Sequence, residues 1–127
     1  MAKVLGVGGI FFKSPDPRRL LDWYSRWLGF QTLAGDEGSV MFSPKSMPEN
    51  GLTVWSPFPA ETDYFAPSDR PFMLNLVVDD LDEAIKQVAA GGAKVVGAIE
   101  KFDYGSFGWF IDPDGNKVEL WQPKGSD

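Results

Sequence analysis

Cysteine and histidine are both absent from the 127 residues, and each absence removes a class of chemistry. Without cysteine there is no disulfide framework, no thiolate metal site and no thiol nucleophile. Without histidine there is no imidazole base and no imidazole metal ligand, which excludes Ser-His-Asp and Cys-His machinery before any motif is read. Long apolar runs are missing too. No stretch nears the ~20 residues of a membrane span, and the opening Met1-Ala2-Lys3-Val4-Leu5-Gly6-Val7 lacks the pattern of a signal peptide. These features predict a cytoplasmic protein with no membrane association. Positive charge is in deficit: 12 Lys and Arg stand against 18 Asp and Glu, for a net charge of −6, which argues against a generic nucleic-acid surface. What is present is ordinary globular composition, 43% hydrophobic and 24% charged, in a chain long enough to build a core as one domain.

Two segments carry helical periodicity. After Asp16-Pro17, apolar residues recur at Leu20, Leu21, Tyr24, Trp27 and Leu28, with Asp16 placed to cap and Gly29 to stop the helix. After Asp79-Asp80 the pattern repeats at Leu81, Ala84, Ile85, Val88 and Ala89, and it ends at Gly91-Gly92. The acidic run from Asp79 to Glu83 sits where a helix dipole favours it, which accounts for it without calcium. Strand-like runs precede the helices at residues 7–13 and 72–78. Others follow near 31–33, 39–42 and 52–55, and near 94–96, 107–111 and 117–121. Asp112-Pro113-Asp114-Gly115-Asn116 is a strong turn signal between the last two runs. Each half therefore reads β-α-β-β-β, and the halves align at a shift of 64 residues that places Asp16 on Asp80. The predicted division is a first module over about 4–56, an irregular crossover over about 57–70 and a second module over about 71–123.

The second half carries Leu76-Val77-Val78-Asp79-Asp80-Leu81-Asp82-Glu83-Ala84, then Gly91-Gly92-Ala93. It ends on Phe110-Ile111-Asp112-Pro113-Asp114-Gly115-Asn116-Lys117-Val118-Glu119-Leu120. The first half carries Ile10-Phe11-Phe12-Lys13-Ser14-Pro15-Asp16 and ends its helix on Trp27-Leu28-Gly29-Phe30. Together these resemble the glyoxalase, bleomycin-resistance and extradiol-dioxygenase group, the vicinal oxygen chelate superfamily, over nearly the whole chain. The resemblance implies an α+β fold of paired β-α-β-β-β modules, whose curled mixed sheets enclose a cavity often completed in a homodimer. It also implies metal ligands on the first and fourth strands of each module, places that fall at Gly9, near Trp55, at Met73 and at Glu119. Only Glu119 is a ligand type suited to a hard divalent ion. Neither a catalytic metal nor any other cofactor is expected.

Strand alternation predicts which side chains accompany Glu119. Val118 and Leu120 form a purely apolar pair suited to lie beneath the helices, which turns Lys117, Glu119 and Trp121 to the concave side. The same reasoning gives a wall of Gly9, Phe11, Thr53, Trp55, Met73, Asn75, Glu119 and Trp121, edged by Tyr104. Tyr64 and Phe65 in the crossover read as a lid or as connector packing, while Trp23, Tyr24 and Trp27 read as core. An aromatic wall with one carboxylate and one amide suits a small-molecule pocket. A carboxylate among Trp, Met and Phe would be held at some cost to the fold, ready to meet a cationic or polar ligand or to act in proton transfer. Three functions fit: a binding protein for an aromatic or cationic small molecule, a metal-independent lyase- or isomerase-type enzyme using Glu119 as acid or base, and a structural or regulatory domain. A homodimer is expected in each case.

Overall fold

The computed structural model describes residues 1–33 and 36–124. Helix α1 spans Pro17–Leu28. Asp16 caps it by accepting from the Arg19 N–H, Pro17 opens it, and Gly29 closes it in the left-handed conformation at φ 71°. Helix α2 spans Leu81–Ala90, with Asp80 accepting from the Glu83 N–H and with Asp82 and Glu83 in the first turn. Asp80, which the 64-residue shift places on the predicted cap Asp16, thus serves the same role.

Strands β1 (Thr32–Leu33) and β2 (Asp36–Val40) form an antiparallel hairpin. The main sheet holds β3 (Leu74–Val77), β4 (Lys94–Val95), β5 (Glu100–Phe102), β6 (Gly105–Ile111) and β7 (Lys117–Pro123). Its order is β3-β7-β6-β4, with β5 also on β6, and only the β3–β7 pairing is parallel. Both helices lie on one face of this mixed, curled and unclosed sheet. Leu20 and Tyr24 of α1 and Leu81, Ala84 and Val88 of α2 bury against Phe110, Val118 and Leu120. The Trp23 indole N–H donates to the Gly91 carbonyl, and the Gln87 amide donates to the Trp27 carbonyl, so polar bonds also lock α1 onto α2.

The β6–β7 turn is held from within. Asp112 accepts from the Asp114 and Asn116 N–H groups on one oxygen, and from the Asn116 amide and Tyr24 hydroxyl on the other. Burial foremost, then the negative charge of Asp112, holds the Tyr24 hydroxyl protonated far above the ordinary tyrosine range. The turn signal read in the sequence is therefore also the anchor of α1.

The first half departs from the predicted β-α-β-β-β order. Residues 7–13 and 52–55 are not strands, and Val4, Leu5, Ile10, Phe11, Leu52, Val54 and Trp55 are exposed. A strand exists only where a neighbour pairs its backbone, and neither segment finds one within the described residues of a single chain. In the second half the order holds, with β5 added ahead of β6.

Candidate functional site

On β7 the period of two sends Val118 and Leu120 into the helix-side core and turns Lys117, Glu119 and Trp121 to the opposite face. Register then sets the neighbours: Asn75 of β3 and Trp109 of β6 flank Glu119, and Phe107 lies opposite Trp121. The Glu119 side chain is deeply placed, at 8% exposure. The Tyr64 hydroxyl donates to its Oε2 at 2.6 Å and the Trp109 indole N–H donates to the same oxygen at 2.8 Å, while the Asn75 amide donates to Oε1 at 2.7 Å. Three donors therefore compensate the carboxylate for lost water.

Tyr64 comes from the crossover and spans two charges. Its hydroxyl meets Glu119, and its carbonyl accepts from the Lys117 ammonium at 2.6 Å, which also lies 5.1 Å from the Tyr64 ring centroid. Burial pulls the Lys117 ammonium below the usual lysine range, against the pull of the Glu119 and Asp63 charges. Burial first, then the hydrogen bond to Glu119 and its charge, keeps the Tyr64 hydroxyl protonated well above its ordinary value. Further along the crossover, the Ser68 hydroxyl donates to the Gly115 carbonyl and the Arg70 guanidinium to the Asp114 carbonyl, pinning this end of the segment to the β6–β7 turn.

Beyond Glu119, toward the β5–β6 turn, rings take over. Phe102 stacks on Tyr104 with planes 4° apart, and Phe107 stacks on Trp121 with planes 7° apart. The two stacks meet edge-on at 61–62°. Gly105 makes this corner possible. Its φ is 152°, and a β-carbon there would lie 2.8 Å from the Trp121 indole nitrogen and 2.9 Å from the Gln122 carbonyl. Gly105→Ala should cost about 1–3 kcal/mol and shift Trp121 fluorescence, since it combines backbone strain with overpacking. An unchanged denaturation midpoint and emission spectrum would show that the corner has slack.

Of the residues predicted for the site, the structure joins Asn75 and Glu119 directly and sets Trp121 on the same face. It places Tyr104 at the exposed rim, and Met73 partly buried one residue before β3. Phe11 and Trp55 take no part in the cluster: they are 95% and 76% exposed, because the strands expected to carry them do not form. A β-carbon at Gly9 would lie 3.1 Å from the Phe11 ring. Trp109 and the polar role of Lys117 were not singled out by the sequence reading. Alternation through 107–111 places Trp109 on the face of Phe107, so its signal was present. Tyr64 had no comparable signal, since the crossover has no periodicity.

The donor set does not fit a divalent metal. Gly9 offers no side chain, Trp55 cannot coordinate, Met73 offers a thioether, and both oxygens of Glu119 already accept hydrogen bonds. Among the described residues no three acidic side chains gather into a metal-holding group. No helix among them is long and apolar enough to cross a membrane.

Two helices on one face of a curled mixed sheet, with a polar cluster on the other, define an α+β glyoxalase-like fold. The model of the glyoxalase-like domain family matches residues 9–121, and the chain belongs to that family. No curated protein matches it. Among solved structures it is similar to the hypothetical protein SA1046 from S. aureus, at 16% identity and a TM-score of 0.53, covering 91% of this chain and 94% of that one. It is also similar to TnmS3, an antibiotic binding protein from Streptomyces sp. CB03234, at 22% identity and a TM-score of 0.50, covering 87% and 89%. An integron cassette protein from V. cholerae aligns at 18% identity and a TM-score of 0.51, over 86% and 88%.

Proposed function

We propose that the protein binds an aromatic small molecule on the sheet face around Glu119, without a metal. The observation that carries this reading is the carboxylate itself, set in the middle of a sheet face between a ring-lined end and an ammonium. Small-molecule sites combine apolar walls with a few convergent polar groups in this way, and here the carboxylate gathers donors from β3, β6 and the crossover at one point of that face. The fold shared with TnmS3, an antibiotic binding protein, supports the same reading at the level of architecture. Trp109 and Trp121 flank the carboxylate, so a planar ligand should quench tryptophan emission. A panel of planar aromatic compounds is expected to give saturable quenching that Glu119→Gln weakens severalfold. No Glu119-dependent quenching across the panel would remove the binding reading, and multiple turnover would instead assign Glu119 a proton-transfer role.

The same proposal includes a homodimer. Val4, Leu5, Val7, Ile10 and Phe11, with Leu52, Val54 and Trp55, expose large apolar side chains, and β3 is an end strand of its sheet. Exposed apolar segments and a sheet edge unpaired among the described residues are suited to contact with a second copy. Light scattering at micromolar concentration should give about twice the 14.0 kDa chain mass. A mass that stays at one chain as concentration rises would count against it.

A further inference from the structure

The geometry points to a phenol as the class of ligand that Glu119 holds, and to Tyr64 as its built-in competitor. This rests on the reading of Glu119 as a ligand-holding carboxylate and specifies what it holds. Of the three donors on Glu119, Asn75 and Trp109 belong to strands fixed by the sheet, whereas Tyr64 belongs to a crossover without strand pairing. The sheet recognises Tyr64 through each feature of a phenol. Glu119 Oε2 accepts its hydroxyl at 2.6 Å, and Trp109 meets the ring edge-on at 6.4 Å and 88°. The Lys117 ammonium stands 5.1 Å from its centroid. These groups act on a phenol whatever chain or molecule carries it.

The Tyr64 side is open as well as occupied. Tyr64 is 39% exposed, and Asn75 on the other side of Glu119 is exposed too, so a free ring can reach the carboxylate as the tethered one leaves. Lys117 also decides between ligand classes. An ammonium already beside Glu119 offsets its charge, which disfavours a cationic ligand and leaves a neutral hydrogen-bond donor with an electron-rich ring as the match. A tethered competitor lowers apparent affinity by the fraction of time the seat is free. Removing it should therefore tighten binding.

The test uses p-cresol and 4-methylanisole, which share a ring and differ in the hydroxyl donor. The Trp109 indole proton–nitrogen signal, assigned through Trp109→Phe, reports occupancy beside Glu119. p-Cresol should bind Tyr64→Ala about tenfold tighter than wild type, and Tyr64→Phe severalfold tighter. 4-Methylanisole should bind each variant about tenfold more weakly than p-cresol, since it cannot donate to the carboxylate. Tyr64→Phe keeps the ring stacked on Phe58 and decides the matter alone if the alanine variant does not fold. Equal p-cresol affinity in wild type and variants would overturn the competitor, and equal affinity for the two probes would overturn the phenol. Glu119-dependent binding of planar aromatic amines without p-cresol binding would overturn the phenol and keep the ligand site. Silence of the Trp109 signal to every compound would remove both.

Discussion

Glu119→Gln is expected to lower unfolding free energy by about 1–2 kcal/mol while weakening ligand-dependent quenching severalfold. Both carboxylate oxygens accept hydrogen bonds, and Oε2 accepts two. The Trp109 indole can only donate, so the glutamine must place its carbonyl oxygen at that position and its amide toward Asn75. Asn75 can answer by turning its own amide, which keeps every partner satisfied but exchanges charge-assisted bonds for neutral ones. Lys117 also loses the opposite charge that supports its ammonium. Read from the sequence, a carboxylate held among apolar side chains for a ligand would be kept at a cost to the fold, so its neutralisation would leave stability unchanged or raise it, whereas neutralising one held by internal donors would destabilise. The donors that the fold supplies place Glu119 in the second case. Urea denaturation of the two proteins without ligand checks it: a midpoint that is unchanged or raised at constant slope would show that the donors do not repay the burial of the charge.

Asp112→Ala is expected to cost more, about 3–5 kcal/mol, because several groups lose one acceptor together. Asp112 is 4% exposed, and its partners Tyr24 and Asn116 are buried beside it. Without the carboxylate, the Tyr24 hydroxyl and the Asn116 amide remain inside the protein with no acceptor, and two N–H groups of the turn lose theirs. The effect should reach α1 as well as the β6–β7 turn, since Tyr24 is the link between them. Asp112→Asn should cost about 1–2 kcal/mol, because one oxygen still accepts the turn N–H groups and the Tyr24 hydroxyl can rotate to accept from the new amide, so only the Asn116 side-chain amide loses its acceptor. Denaturation midpoints ordered wild type, asparagine, alanine would bear this out. An alanine variant within about 1 kcal/mol of wild type would mean that water reaches Tyr24 and Asn116 once the carboxylate is gone.

The parts whose causes lie within a few residues were legible along the chain. Asp16 and Asp80 cap their helices by accepting an N–H three positions on, Gly29 stops α1, and apolar spacing gives each helix its buried stripe. The Asp112–Asn116 turn was legible for the same reason, and with it the hairpin that carries the site. Alternation along β7 also sufficed to turn Glu119 away from Val118 and Leu120, because a strand's period is two whatever surrounds it. What Glu119 meets depends on the assembled fold. Tyr64 reaches it across 55 residues by the path of an irregular crossover, which no local signal encodes. Tertiary structure likewise decided that residues 7–13 and 52–55, strand-like in pattern, form no strands in the single chain, leaving Phe11 and Trp55 outside the site. A helix closes its hydrogen bonds within itself, whereas a strand takes its bonds from a neighbour, so a strand-like pattern becomes a strand only where the fold brings a partner alongside.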